Sequence, residues 1–367
     1  MGGRISREQL VTSRRLRKEP SLRKKMNGDF MFPPPEETIR PGDYAIVTWD
    51  LETTDRHFDD LICQIGAFCP GHNTFNQYVL PTKVINHEAA GKIHLQVVVH
   101  EGRRVLIDTV TRQILESVEE QLALQRFMGW LYSAKGNHAG VVLISHSTIK
   151  LDVPVLLQAL ARHKLEAKFF ELVIGFGDSF GPFSMEMRGQ FPVLSLQSLY
   201  TAIVGPRAEQ HDAASDAEAV YRLLETAFGS PLSLNIPQLQ RYCYTPRVMA
   251  YYVEWKRRLI EKAKQMKPLV AHITNWKVAG GIKWDLLTIG YDYSTLTFRY
   301  QTLGEERFVA ELRYQMHWKK QNDICYLTHT SEIDAETIVQ GVLQHFRNLG
   351  AERMPLQQPV YQYQVAN

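Results

Sequence analysis

The chain has 367 residues, 44% of them hydrophobic, with 42 Lys and Arg against 39 Asp and Glu. That length predicts about two domains, and the composition excludes a disordered or fibrous protein for the bulk of the chain. No run of about 18 apolar residues suggests a membrane-spanning helix, MGGRISREQL lacks the apolar stretch of a secretory signal, and four scattered cysteines without a CxxC pair (Cys63, Cys69, Cys243, Cys325) argue against a disulfide scaffold or structural zinc.

A reducing, cytosolic or nuclear setting is therefore expected. The small net charge of +3 hides an uneven distribution. Residues 1–27 hold nine Lys/Arg and two Glu, a net +7. Residues 28–240 hold 16 basic and 25 acidic groups, a net −9, and residues 241–267 hold eight and two, a net +6. Basic segments of this kind are either solvated helix faces or contacts for a polyanion.

In chain order, residues 1–40 read as a basic arm that ends in Pro33–Pro35. Residues 44–49 (YAIVTW) form a short apolar run rich in strand formers, which predicts a buried strand. Residues 61–68 and 75–80 predict two more strands, joined by a hairpin turn at Pro70-Gly71-His72-Asn73. Residues 116–132 show helical spacing. Residues 141–145 (VVLIS) predict another buried strand, followed by a helix over 153–163 with Pro154 in its first turn. Ser195-Leu196-Gln197-Ser198-Leu199 reads as a capped helix start within 194–204, and 213–228 as an amphipathic helix. The turn-rich segment 229–237 predicts a domain boundary. Beyond it the sequence predicts no strands: a long basic helix over 247–267, then short helical stretches at 284–289, 294–302, 305–316 and 335–349.

Three motifs carry chemistry. Asp50-Leu51-Glu52 ends the first apolar strand, and residues two apart on a strand share a face. Alone, the pair is also what a solvated strand end looks like. Asp152 precedes the Pro154 helix start, where an aspartate is often only a cap. His211 and Asp216 lie five residues apart, about 500° of helix. They converge only if His211 sits on the loop and Asp216 in the first turns of the helix.

In order, context and separation, Asp50, Glu52, Asp152, His211 and Asp216 together resemble the catalytic set of DEDDh exonucleases, the DnaQ-like branch of the ribonuclease H-like fold. The resemblance covers about residues 43–228, with Asp178 and Ser195–Leu199 similar to non-catalytic landmarks. It implies an α/β domain with a mixed central sheet and flanking helices. It also implies a two-metal site for Mg²⁺ or Mn²⁺ in which Asp50, Glu52, Asp152 and Asp216 hold the ions and His211 is the general base for water. Without metal, four clustered acids should repel, and at least one should resist ionisation. Two positions depart from the pattern: Ser147 follows His146 where Asn is frequent, and Asp55 follows Thr53-Thr54 where Gly is frequent.

The runs Asp43–Val47, Asp59–Phe68, Phe75–Pro81, Asn86–Ala90, Val142–His146 and Val153–Leu160 look more narrowly like the exuperantia family of maternal proteins. Gly290–Leu296 is similar to that family's SAM-like domain. This likeness implies an RNA-binding, exonuclease-fold protein acting in maternal or germline mRNA localisation, cytoplasmic and in ribonucleoprotein granules. It implies a homodimer formed through the exonuclease-like domain and protein partners for the SAM-like domain. Some members lack the catalytic acids, whereas this sequence keeps all five positions. A metal-dependent 3′–5′ exonuclease acting on single-stranded RNA or DNA is therefore the alternative function, and a SAM-mediated interaction scaffold is a third. In the basic helix, Arg257, Arg258, Lys262 and Lys264 are candidates for phosphate contacts, and Tyr251, Tyr252 and Trp255 for base stacking, unless those aromatics are core. The expected organisation is an arm (1–40), an exonuclease-like domain (41–230), a linker with the basic helix (231–270), a smaller all-α SAM-like domain (271–350) and a tail (351–367).

Overall fold

The structure is a computed structural model that describes residues 37–322 and 331–350, apart from 56, 58, 59, 148, 150 and 208–210. Most of the arm, the tail and Cys325 lie outside the described residues. The described chain falls into two units, residues 37–257 and residues 258–322 with 331–350.

The first unit is built on a mixed sheet. Its strands begin with β1 (Ala45–Thr53), β2 (Ile62–Phe68) and β3 (Phe75–Val79). After α1 (His87–Ile93) come β4 (Leu95–His100), β5 (Arg103–Asp108), β6 (Ile114–Leu115) and β7 (Ser117–Val118). Helix α2 (Glu120–Lys135) and strand β8 (Val141–Ser145) follow, then α3 (Asp152–Arg162), α4 (Glu166–Leu172), β9 (Val173–Asp178) and a π-helical turn at Pro182–Glu186. The unit continues through α5 (Leu196–Ile203), α6 (Ala213–Phe228), α7 (Pro237–Gln240), β10 (Cys243–Tyr244) and the start of α8 (Pro246–Gln265). The seven-stranded sheet has the order β10-β9-β8-β1-β2-β3-β7. Strand β1 runs antiparallel to β2 and parallel to β8, so the sheet is mixed as expected.

Strand β1 is central, and both its faces are covered. Ile46 packs into the cluster of Val142, Ile144, Val220, Leu223 and Leu224, which belongs to α6 and the sheet. Trp49 instead meets Phe176, which stacks on Phe169, whose ring lies 6.4 Å from Phe127. The two-residue period of the strand therefore puts Ile46, Thr48, Asp50 and Glu52 on the α6 face. Apolar residues fill the covered part of that face, and the two acids appear where α6 begins.

The close approach of α6 has a sequence requirement. Gly66 pairs with Asp50 in the register, and a Cβ at Gly66 would lie 2.0 Å from the Ala213 backbone carbon. Gly66→Ala must push the start of α6 off the sheet. We expect it to lower the unfolding free energy by about 2–3 kcal/mol, measured by urea denaturation.

Between β3 and β7 the chain makes an excursion that the sequence reading did not predict. Helix α1 and a separate sheet of order β4-β5-β6 enclose a small core of Cys63, Ile85, Ile93, Leu95 and Leu106. Its signal was a Val-rich run and a second apolar run joined by Glu101-Gly102, both at positive φ (50° and 76°), as a tight hairpin requires.

The domain boundary at 229–237 needs correction. Leu232, Leu234 and Leu239 are buried in the α6 cluster, and β10 pairs with β9 through Cys243 and Gly177. Gly and Pro there mark a loop inside the unit, and the exposed edge of β9 is closed by a strand only two residues long. The arm also ends sooner than residue 40. Thr38 bridges Tyr244, Ile39 is buried, and the Ile39 N–H donates to the Cys243 carbonyl at 2.8 Å.

The second unit is helical. The end of α8 and a 3-10 turn at Pro268–Val270 lead to α9 (Trp276–Thr288), α10 (Tyr293–Gln321) and α11 (Ala335–Leu349). The stretches expected at 294–302 and 305–316 are one element with a break at Gly304, whose φ is 74°. Phe308, Leu312, Met316, Ile338, Val342 and Phe346 are buried, and Tyr300 stacks on Phe346 at 4.5 Å. Fully buried Asp285 accepts from Lys320 Nζ at 2.6 Å and from Ser331 N–H at 2.6 Å and its hydroxyl at 2.8 Å, which fastens α9 to α10 and to the start of the last segment.

Candidate metal centre and nucleic-acid interface

The five sequence candidates line one cleft of about 290 Å³ in the first unit, together with Thr53, Asp55, Lys92, His146 and Ser147. Asp50 and Glu52 come from the α6 face of β1. Asp152 is the first residue of α3, buried at 6% exposure, and accepts a hydrogen bond from the Ser145 hydroxyl at 2.7 Å. His211 lies on the loop before α6 with φ 58°, and Asp216 sits in its first turn. The condition for their convergence is thus met. Glu52, His211 and Asp216 present ligand atoms that all lie within 4.8 Å of one another.

A buried network fixes the start of α6. The Gln64 amide donates to Asp212 at 2.7 Å and to Asn76 at 3.0 Å, and its carbonyl oxygen accepts from the Ala213 N–H at 3.2 Å. Asp212 in turn caps the helix by accepting from Ser215 N–H at 2.9 Å. Gln64 is opposite Glu52 in the register, so one side chain ties the strand carrying two acids to the helix carrying the fourth.

The second motif is also held in place by Asp178. This buried side chain accepts from the N–H of Ser147 at 2.8 Å and of Phe180 at 2.9 Å. Ser147 has φ 61°, a left-handed backbone that Asn and Gly adopt with less strain. His146 is engaged on both ring nitrogens, by the Ser179 hydroxyl at 2.9 Å and the Leu194 carbonyl at 2.8 Å, so it braces the cleft wall. Asp55 lines the cleft and also a neighbouring cavity of about 610 Å³ with Lys83, Asn86 and His87.

The electrostatics follow from crowding. Burial, then the charges of Asp152, Asp216 and Glu52, hold the Asp50 carboxyl well above its usual range, with Arg207 acting in the opposite sense. Glu52 is pushed up to about 8, first by burial and then by Asp216 and Asp152. Asp152 is pushed up to about 7, mainly by burial, although the Ser145 hydrogen bond favours its charged form. Neighbouring acids that resist ionisation are poised to exchange protons for a cation. Clustered hard oxygen donors fit a divalent cation, with His211 at the margin.

One residue of the site had no sequence signal. Arg207 lies in an irregular Gly-Pro-Arg segment. Its guanidinium makes a very short contact with Asp216 and donates to the Ser215 hydroxyl at 3.1 Å. It also lies 5.9 Å from the Tyr200 ring.

The basic helix α8 differs from expectation. Tyr252 and Trp255 are 4% and 0% exposed, so they are core residues and offer no stacking surface. Hydrophobic residues recur through the helix at core spacing, which outweighs its basic composition. Trp255→Ala should lower stability by about 3 kcal/mol, measured by thermal melting. Lys262 is committed to Asp292, the N-cap of α10, at 2.6 Å. Arg257, Arg258 and Lys264 remain exposed; Arg257 pairs with Glu254 at 2.8 Å and Lys264 with Glu261 at 2.6 Å. No helix among the described residues is long and apolar enough to cross a membrane.

Comparison with known proteins agrees with the fold. Residues 44–199 match the family model of the exuperantia RNase H-like domain. The maternal protein exuperantia of Drosophila virilis is 31% identical over 148 residues, 40% of this chain and 30% of that protein. The Drosophila melanogaster protein is 31% identical over 142 residues, 38% of this chain and 26% of that protein. The chain thus spans less than a third of the curated relatives it matches. Among solved structures, a zinc-bound complex of E. coli exonuclease I with single-stranded DNA aligns with TM-score 0.39 and 14% identity, over 62% of this chain and 46% of that one. The complex with a dT13 oligonucleotide aligns with TM-score 0.37 and 13% identity, over 50% and 41%. The exuperantia match contains Asp50, Glu52 and Asp152 and stops before His211 and Asp216.

Proposed function

We propose that this exuperantia-like, exonuclease-fold chain binds RNA and that its acidic cleft is a metal-dependent 3′–5′ exonuclease site for single strands. One observation carries the reading: four carboxylates and a histidine, drawn from three distant stretches of sequence, line one cleft with Glu52, His211 and Asp216 in mutual ligand range. Asp50, Glu52, Asp152 and Asp216 would hold Mg²⁺ or Mn²⁺. The bound ions would activate water and neutralise charge on the phosphate. His211, exposed in the cleft lining, would take the proton of the attacking water. Ser145 orients Asp152, and Gln64 and Asp212 keep the two halves of the acid set in register.

A second reading is RNA capture without turnover. The contact between Arg207 and Asp216 favours it, because it commits one of the acids to a protein cation. The name maternal protein borne by the relatives fits this reading, with a role in mRNA localisation in the germline cytoplasm or its granules. The exposed cations Arg257, Arg258 and Lys264 would add contacts to phosphates. A homodimer through the first unit would draw on exposed apolar side chains such as Val99, Val110 and Ile114, 72%, 67% and 51% exposed. The second unit, which we read as SAM-like, would serve protein partners.

The test is incubation of 5′-labelled single-stranded RNA with the full chain and Mn²⁺, beside His211→Ala. A ladder shortening from the 3′ end, lost in the variant, supports exonuclease action. Intact RNA retained in a shifted band assigns the cleft to capture. Light scattering of the same protein reads the oligomeric state.

A further inference from the structure

Among the described residues, Arg207 is a cation bound directly to the acid set. Its side chain is 8% exposed, and that of Asp216 is 13% exposed. Asp216 lines the cleft, and the guanidinium reaches its carboxylate from beside Ser215. The carboxylate is therefore shared: one oxygen is held by the guanidinium, and the group still lies within ligand range of Glu52 and His211. The hydrogen bond to Ser215 and the position over Tyr200 hold the guanidinium where it is. A divalent ion in the cleft would thus meet a carboxylate whose charge is already largely balanced, and a fixed positive charge behind it.

We propose that Arg207 is a built-in counter-cation of the cleft, which competes with divalent metal for Asp216 and holds metal affinity down. The proposal rests on the metal-site reading above. Its consequence is that the cleft survives without metal, because part of the repulsion among its acids is cancelled by the protein itself. It also makes occupancy depend on metal concentration over the range where a fully acidic site would already be saturated.

The experiment is Mn²⁺ titration of the metal-free full chain by calorimetry, for wild type, Arg207→Gln and Arg207→Lys, with circular dichroism to verify folding. Removing a charge this close to the site should tighten Mn²⁺ binding about tenfold in Arg207→Gln, and Arg207→Lys should stay within about twofold of wild type. In EDTA, Arg207→Gln should melt below wild type, and saturating Mn²⁺ should close that gap. Equal affinities for wild type and Arg207→Gln overturn the counter-cation while the metal site stands. Weaker binding by Arg207→Gln also overturns it and leaves Arg207 as a scaffold for Asp216. Absence of Mn²⁺ binding in all three proteins removes the metal site itself and the proposal with it. Should Arg207→Gln fail to fold, Arg207→Lys decides. Its planar fork is gone but its charge remains, so a tightening beyond about fivefold would show that charge is not what limits affinity.

Discussion

Asp50→Asn should cut metal-dependent RNA cleavage by about three orders of magnitude and, in the same protein, raise the melting temperature measured in EDTA. On the proposed reading Asp50 is a metal ligand, and the loss follows from removing its charge from the set. The gain follows from the metal-free cleft. Burial and three neighbouring acids make the Asp50 carboxylate costly to ionise, and an amide of the same shape carries no such cost. Opposite signs for activity and stability distinguish a functional acid from a structural one, whose removal would lower both. Single-turnover cleavage and differential scanning fluorimetry read the two quantities. A variant that melts lower in EDTA would contradict the proposed crowding.

Stability of the metal-free protein should fall as the pH rises from about 5 to about 8. Glu52 titrates at about 8 in the folded protein and near 4.5 as a free group, and Asp152 at about 7 against 3.8. Between those values the folded state holds protons that the unfolded chain has released. Stability contributed by a raised carboxyl is therefore fully present below the unfolded value and lost as the pH passes the folded one. The two groups titrate as one interacting set, and their combined effect is on the order of several kcal/mol, large beside the usual stability of a domain. Saturating Mn²⁺ should flatten the profile, because metal displaces the same protons, and its affinity should rise with pH. Urea unfolding in EDTA at pH 5.5 and 8.5 checks this, with Glu52→Gln as the variant in which the slope shrinks. Equal stability of wild type at the two pH values would count against it.

What the sequence revealed and what it concealed have physical causes. The strands β1, β2, β3 and β8 were legible because buried strands are short apolar runs, and Asp50 and Glu52 stood out as the charged end of one of them. Convergence of His211 and Asp216 required a loop residue at positive φ, which spacing alone could state only as a condition. The β4-β5-β6 excursion escaped because its faces are half exposed and its alternation is weak. Strand β10 escaped because two residues carry no periodicity. Aromatic side chains in a basic helix were ambiguous by nature: Tyr252 and Trp255 serve the core, and the helix's composition reflects only its outer face. Arg207 was invisible because its role depends on a fold-back of an irregular segment onto Asp216.

The latch at the end of the sheet joins stretches that lie far apart in the chain. Thr38 and Ile39 pair with Cys243 and Tyr244, and the Gln240 amide donates to the Ile39 carbonyl at 2.6 Å. Helix α8 departs two residues later, at Pro246. Two stretches more than 200 positions apart in the chain are therefore joined side by side at the sheet edge. A loop of more than 200 residues is thereby closed at its two ends, so the edge of the sheet cannot fray from one end of the unit without releasing the other.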